Sequence, residues 1–328
     1  MTSRLSHALA GFDWPDGCIA VFGPSAATDL SELPKDRVVV VQGFRPDHDA
    51  WAAAGLVVAP LLEGQAAAGL VCLNRARAAA RAAVADAVAH LPPGAPVWVD
   101  GQKTDGIDTM LKDLRAKVAL GEVKSKAHGK IACFASPGPG VFDDWTGKPT
   151  HPAPGFTAPP GAFSADGIDP ASAMLSAALP AKLPGRVADL GAGWGWLSAQ
   201  VLGCTGVTEL HLVEADHASL QAARANVADE RARFHWADAT AFRPDQRVDA
   251  VVMNPPFHVG RDADPALGAA FIRSAAQMLT LSGTLYMVAN RHLPYEPVLA
   301  QVFREVSAIA GDGRFKVLRA ARPLVRRP

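Results

Sequence analysis

The sequence is short of the features that mark secreted, membrane-bound and metal-clustered proteins. Its 328 residues include only four cysteines, Cys18, Cys72, Cys133 and Cys204, with no C-x-x-C pair among them. That spacing excludes a zinc knuckle and a disulfide framework, and leaves reduced, mostly buried thiols in a reducing cytosol as the expectation. No metal centre is expected. Long apolar runs are missing too: the most apolar stretch, residues 51–62, is rich in alanine and too short to span a bilayer. Residues 1–17 have no basic start followed by an apolar core, so no signal peptide is expected. Net charge is also absent, with 32 Lys plus Arg against 32 Asp plus Glu. A neutral chain has no overall electrostatic pull on nucleic acid, so any such contact has to come from local basic patches. The expected location is the cytoplasm, with no membrane contact.

What is present suits a globular protein. Hydrophobic residues make up 49% of the chain and charged ones 20%, enough to build sizeable cores. The length suggests two domains. Residues 136–160 read SPGPGVFDDWTGKPTHPAPGFTAPP, a density of proline and glycine that cannot form the interior of a helix or strand. The expected division is therefore a first domain at 1–136, a linker at 137–162 and a second domain at 163–328.

The second half alternates. Strands are expected at 186–190, 210–213, 233–236, 250–253 and 283–288, and helices at 196–202, 217–227 and 265–279. Apolar, unalternating strands separated by helices imply an α/β fold, a mostly parallel sheet with helices on both faces. The first half repeats the plan weakly. Residues 90–114 parallel 278–303, 128–135 parallel 313–320, and 38–51 parallel 210–223. A shared plan at about half the chain length suggests a tandem duplication.

The clearest cofactor signal is Asp189-Leu190-Gly191-Ala192-Gly193-Trp194-Gly195, a strand end running through alternating glycines into a helix. Glycine lets a ligand approach the backbone, and the helix start adds unpaired amide donors. The spacing is G-x-G-x-G, unlike the G-x-G-x-x-G of dinucleotide turns. An acid ahead of the glycines suits a cofactor with a positively charged amino acid end better than one with a pyrophosphate. Glu214 closes the next strand, where a carboxylate can accept both ribose hydroxyls, and Asp238 follows the third, where it can accept from an adenine amine. Each alone is more readily a solvated loop acid than a ligand. Their recurrence after successive strands, where open α/β sheets bind ligands, makes them a set.

The most specific signal is Asn254-Pro255-Pro256-Phe257-His258, directly after the fourth strand. An exocyclic amine on an aromatic ring is a poor nucleophile, because its lone pair is delocalised. The Asn254 oxygen and the Pro255 carbonyl can accept its two hydrogens, Pro256 stiffens the loop, and Phe257 can stack on the base. Attack then needs positioning rather than a strong base. His258 can take up the released proton, contact RNA, or be an ordinary loop residue.

With these residues in view, the second half resembles bacterial 16S ribosomal RNA guanine-N2 methyltransferases of the RsmC type. Also matching are GAFSADGIDPAS at 161–172, VANRHLPYEPVL at 288–299 and GRFKVLRA at 313–320. The resemblance implies tandem duplicated class I methyltransferase (Rossmann-like) domains, of which only the C-terminal one binds S-adenosylmethionine. It implies methylation of a guanine exocyclic N2, with ribosomal RNA or an assembled ribosomal subunit as partner. The cofactor set is then Asp189, Gly191, Gly193, Gly195, Glu214, Asp238, Ala239 and Asn254. The catalytic set is Asn254, Pro255, Pro256 and Phe257, with Phe257, His258 and Phe163 on the substrate. Asp169, which also matches the family, reads equally as a helix cap before Pro170. The first half would be a degenerate copy for RNA positioning or stability. Val21-Phe22-Gly23-Pro24-Ser25 stands in the cofactor loop's place without its glycines, and Leu73-Asn74-Arg75 stands near the tetrapeptide's.

Three alternatives remain at this level. A large-subunit (23S) guanine-N2 relative shares the NPPFH loop. Protein glutamine N5-methyltransferases present a similar planar NH2 to methylate, but their loop ends in Tyr and their preceding domain is small and helical. A non-catalytic RNA-binding assembly factor is the third, and the intact Asp189, glycines and Asn254 speak against it. Basic residues cluster at Lys112, Arg115, Lys117, Lys124, Lys126 and Lys130, and again at Arg314, Lys316, Arg319, Arg322, Arg326 and Arg327. They give weak support for phosphate contacts.

Overall fold

Each half of the chain winds around its own seven-stranded sheet. The computed structural model describes residues 4–256, 258–259, 262–263 and 265–324, with the backbone alone at 258–259 and 262–263. The chain divides into two units, Met1–Pro149 and Thr150–Pro328. That division falls within the stretch read as a linker.

The first unit runs α1 (Arg4–Leu9), β1 (Ile19–Phe22), β2 (Val38–Val41), α2 (Arg45–Ala53), β3 (Val57–Ala59), β4 (Ala68–Cys72), α3 (Arg77–Ala89), β5 (Pro96–Gln102), α4 (Ile107–Arg115), β6 (Lys124–Lys126) and β7 (Gly129–Ala135). Its strand order is β3-β2-β1-β4-β5-β7-β6, and β7 is antiparallel to both its neighbours. The four valines of β2 illustrate why these segments are strands. A β-branched run packs well on a pleated surface and needs no polar face when helices cover both sides. Alternate residues accordingly enter two cores: Ala20 and Phe22 pack with α3 and α4, while Ile19 and Val21 pack with α1 and Trp51 of α2.

The second unit opens with a hairpin, β8 (Thr150–Ala153) and β9 (Phe156–Ala158), followed by α5 (Pro170–Ala178), β10 (Lys182–Leu190), α6 (Trp196–Leu202), β11 (Thr205–Glu214), α7 (His217–Asn226), β12 (Ala232–Trp236) and β13 (Val248–Met253). It continues through β14 (His258–Val259), β15 (Asp262–Ala263), α8 (Pro265–Met278), β16 (Leu279–Asn290), α9 (Glu296–Val302), β17 (Phe303–Gly311) and β18 (Phe315–Pro323). The order β12-β11-β10-β13-β16-β18-β17 repeats that of the first unit position for position, again with an antiparallel seventh strand, β18. The duplicated α/β plan expected from the sequence is therefore present. All three sequence parallels fall on topologically equivalent elements: β2–α2 with β11–α7, β5–α4 with β16–α9, and β7 with β18.

The central strands of this unit are buried on both sides. Val187, Ala250 and Val252 face α5, α6 and α7, where they meet Leu175, Leu197 and Ala223. Ala188, Leu190, Val251 and Met253 face α8 and α9, meeting Phe271, Ile272 and Leu299. Strand ends match the expected positions closely, whereas β10 and β11 begin earlier than expected, at Lys182 and Thr205. The early part of β10 contains Pro184 and Gly185, and it joins the sheet through register shifts on either side of Gly185. The β8–β9 hairpin was also unexpected, because it lies in the proline- and glycine-rich stretch. Among the described residues no helix is long and apolar enough to cross a membrane.

Candidate active site

The loops that follow β10 and β13, together with the segment leading into α5, line a pocket in the second unit. Gly191, Gly193, Asn254, Asp169, Ser172 and Phe163 are among its lining residues. The glycine loop and the start of the Asn-Pro-Pro-Phe tetrapeptide thus share one cavity, although they are far apart in sequence.

Two acids flank the loop, and one of them, Glu214, bonds its backbone. Asp189, at the end of β10, is 1% exposed, and its Oδ2 accepts from Ser198 Oγ of α6 at 2.7 Å. Its Oδ1 is buried without a partner among the described residues. Burial pushes the Asp189 carboxyl up to about 7, and nearby Glu214 adds to the rise. Glu214 Oε2 accepts from Gly193 N at 2.8 Å, and its Oε1 accepts from Asp216 N at 2.8 Å. Burial raises the Glu214 carboxyl as well, against the bonds from those amides. A buried carboxylate with one bare oxygen beside a half-buried second one forms a site that a cationic group would stabilise. A ligand with an ammonium end and a ribose fits this donor set.

All three loop glycines have left-handed φ, but they serve different ends. A Cβ on Gly193 would meet nothing within 4 Å, which leaves that backbone open to a ligand. At Gly195, with φ +90°, a Cβ would lie 2.9 Å from Val227 Cγ2 and 3.2 Å from Ala223 Cβ of α7. Gly195→Ala is therefore expected to destabilise the protein by about 1–3 kcal/mol through backbone strain alone, with the clash adding to it. Urea unfolding checks this, and an unchanged midpoint would contradict the packing role.

Trp194 sits between these glycines and ties three segments together. Its Nε1 donates to Phe163 O at 3.0 Å, and its ring meets Phe156 of the hairpin edge-on. Asn226 of α7 donates from Nδ2 to Trp194 O and to Thr157 O, both at 2.7 Å, and accepts Thr157 N on Oδ1 at 2.9 Å. Phe163 itself is 68% exposed at the pocket, next to Ser164 with φ +53°, so its ring is free to meet a flat ligand.

Asn254 follows β13. Its Nδ2 donates to Asp169 Oδ2 and to Ser172 Oγ, each at 2.8 Å. Its Oδ1 is buried without a partner among the described residues. Asp169 Oδ2 also accepts from Ser172 N at 2.7 Å, capping α5. Asp169 is thus both the helix cap and the partner of Asn254. Sequence reasoning missed the role of Ser172, although it closes the matching segment 161–172, and that of Ser198, which carries no signal beyond an ordinary helix serine.

Asp238 and Ala239 are not among the residues that line this cavity. Asp238 Oδ1 accepts Thr240 N at 2.8 Å and Thr240 Oγ1 at 2.7 Å, closing its own turn after β12. Ala239 is buried, and its carbonyl accepts Ser274 Oγ at 2.6 Å. Pro255 is buried and Pro256 exposed, whereas Phe257 and the side chain of His258 lie outside the described residues. Several basic residues proposed for phosphate contact are paired with acids: Lys117 with Asp144, Lys130 with Asp108, Lys316 with Glu296, and Arg322 with Glu305. Arg326 and Arg327 lie outside the described residues.

Against known proteins, the methyltransferase small-domain profile matches residues 154–319, which contain the whole pocket. The ribosomal RNA small subunit methyltransferase C of Idiomarina loihiensis is 29% identical over 322 residues, 94% of this chain and 94% of the relative. That of Cronobacter sakazakii is 31% identical over 236 residues, 70% of this chain and 68% of the relative. The chain belongs to this methyltransferase family. A solved structure, the T. thermophilus 16S rRNA N2 methyltransferase (RsmC) in complex with AdoMet and guanosine, superposes with a TM-score of 0.80. It is 25% identical, and the match covers 98% of this chain and 92% of that one.

The repeated topology of this methyltransferase allows its two units to be compared residue by residue. Gly23 N donates to Val41 O at 2.9 Å as Gly191 N donates to Val213 O at 2.8 Å. From that equivalence, Val21 stands in the place of Asp189, and Gln42 in that of Glu214. Because Phe22 pairs with Val71 as Leu190 pairs with Met253, Cys72 stands in the place of Asn254. The counterpart of the tetrapeptide is thus Cys72 to Arg75, starting one residue earlier than the Leu73 noted from sequence. Gln42 Nε2 donates to Pro24 O at 2.8 Å and Trp51 Nε1 donates to the same oxygen at 3.0 Å, so the first unit's loop is satisfied from within.

Proposed function

We propose that this methyltransferase transfers a methyl group from S-adenosylmethionine to the exocyclic N2 of a guanine in 16S ribosomal RNA. The observation that carries the reading is the bare, buried Oδ1 of Asn254 in the same pocket as Gly191 and Gly193. When bound, the cofactor supplies an electrophilic methyl on a positively charged sulfonium. Asp189 would hold its ammonium end, Glu214 its ribose, and Asp238 with Ala239 its adenine, while Gly191, Gly193 and Gly195 keep side chains out of its way. Asn254 Oδ1 and the Pro255 carbonyl would accept the two hydrogens of the base amine and direct its lone pair. Phe257 and Phe163 would fix the plane of the base by stacking. After transfer the amine nitrogen gives up one proton, which needs no strong base.

Ribosomal RNA or the assembled small subunit is the partner in this reading, and the cytoplasm the location. The first unit is a degenerate copy, used for RNA positioning or stability. Val21 and Cys72 support that role, since neither can repeat the chemistry of the acid or amide it replaces, while Gln42 keeps one acceptor oxygen, taken by Phe44 N, and turns its Nε2 to Pro24 O. The first unit's seven-stranded sheet also differs from the small helical domain expected ahead of a glutamine methyltransferase.

Mapping base modifications in 16S ribosomal RNA from a strain lacking the gene tests the proposal. One N2-methylguanine should disappear relative to the parent strain and return with a plasmid copy. An unchanged 16S map together with a loss in 23S RNA would move the assignment to the large subunit.

A further inference from the structure

We propose that Asp169 and Ser172 are positioning residues that lock the Asn254 amide with its oxygen toward the substrate, so that the pocket selects a ring edge that donates hydrogens. This deepens the guanine-N2 reading and rests on it. An asparagine side chain ends in two groups of similar size, a carbonyl that accepts and an NH2 that donates. Rotation about the last bond exchanges them, and with it the kind of partner the residue selects.

In this pocket the exchange is blocked chemically. Asn254 Nδ2 meets Asp169 Oδ2 and Ser172 Oγ, each at 2.8 Å. A carboxylate only accepts, so a carbonyl turned toward Asp169 would set two oxygens against each other with no hydrogen between them. The observed orientation instead gains a charge-assisted bond. Asp169 cannot easily swing aside, because the same Oδ2 accepts Ser172 N at 2.7 Å and caps α5, with Pro170 at the helix start. The cap fixes the carboxylate, and the carboxylate fixes the amide.

At its other end, Asn254 Oδ1 is left buried without a partner among the described residues. A buried acceptor in that state is unfavourable and is relieved only by a donor entering the pocket. The Watson–Crick edge of guanine offers such donors in its N2 and N1 hydrogens, whereas a keto group offers none. With the lock in place, Asn254 cannot turn its NH2 outward to welcome a carbonyl. Amine selection thus resides chiefly in the Asp169 carboxylate, which can only accept, while the Ser172 hydroxyl adds a second acceptor in the orientation that the carboxylate imposes.

Two substitutions separate this role from capping. Ser172→Ala removes the Oγ acceptor but keeps the backbone N–H that makes the cap. Asp169→Ser keeps a good capping residue but withdraws the carboxylate from Asn254. The full-length protein is assayed with S-adenosylmethionine on small subunits from a strain lacking the gene. The expected result is a fall in kcat of about tenfold for Ser172→Ala and on the order of a hundredfold for Asp169→Ser. KM for the ribosomal substrate, Kd for the cofactor and the thermal midpoint should all stay near wild type. Combining the two should cost less than the product of the single losses, because both act through one amide. Wild-type kcat in both variants overturns the lock. So does a loss that follows thermal stability or cofactor affinity, since that outcome leaves Asp169 only its structural duty. A wild-type protein that methylates neither ribosomal subunit strikes the underlying reading instead.

Discussion

Replacing Asn254 with alanine is expected to lower methyl transfer a hundred- to a thousandfold, on the order of the loss of one preorganised polar contact in other active sites. Cofactor affinity should stay within about a factor of two of wild type, because the acids that would hold the cofactor remain in place. As the amine nitrogen attacks, it gains positive charge and its hydrogens become better donors. A bond to Asn254 Oδ1 is then stronger at the transition state than in the bound ground state, so its loss falls on kcat. Single-turnover kinetics with calorimetry on the same variant check both halves. Undiminished turnover would remove the amine-activating role from Asn254.

Asp189→Asn should produce opposite effects with and without cofactor. Affinity for S-adenosylmethionine should fall on the order of a hundredfold, the expected cost of removing one member of a buried charge pair. Without cofactor, the variant should be the more stable protein at pH 8. The ordinary carboxyl value of 3.8 is raised by burial to about 7 in the fold. Between those values the unfolded chain has lost the proton while the folded chain keeps it, so wild-type stability declines as pH rises through that window. Below 3.8 both states are neutral and no penalty applies. Above about 7 the penalty is complete, on the order of a few kcal/mol. Asparagine abolishes this dependence, so the two proteins should unfold alike near pH 4 and diverge most at pH 8. Parallel stability profiles across that range would contradict the buried state of Asp189 with its bare Oδ1.

The strand ends, the glycine loop and the duplicated order were legible in the sequence because each rests on local pattern. Val187 to Leu190 is a short, mostly apolar run followed at once by alternating glycines, and its length and flanking glycines mark it locally as a buried strand. What escaped notice depends on distant partners. The β8–β9 hairpin occupies a stretch whose prolines and glycines disfavour regular structure, and Asn226, on α7, holds Thr157 in place. The first four residues of β10 contain Pro184 and Gly185, which lower strand propensity until the sheet imposes the pairing. Asp169 carries a legible local signal as a cap, but its bond to Asn254 spans 85 residues and leaves no trace in either segment alone. The same holds for Ser198 beneath Asp189. Packing writes such contacts, and spacing along the chain does not record them.

Trp194 has a consequence for how the two substrates would communicate. One indole joins the loop that would carry the sulfonium ligand to the backbone of the aromatic residue at the mouth of the cavity. Were one ligand to order its side of that tie, the other side would share the change through the Trp194–Phe163 bond. Thermodynamic reciprocity then applies: whatever factor the nucleotide gains from a loaded loop, the methyl donor gains from a loaded mouth.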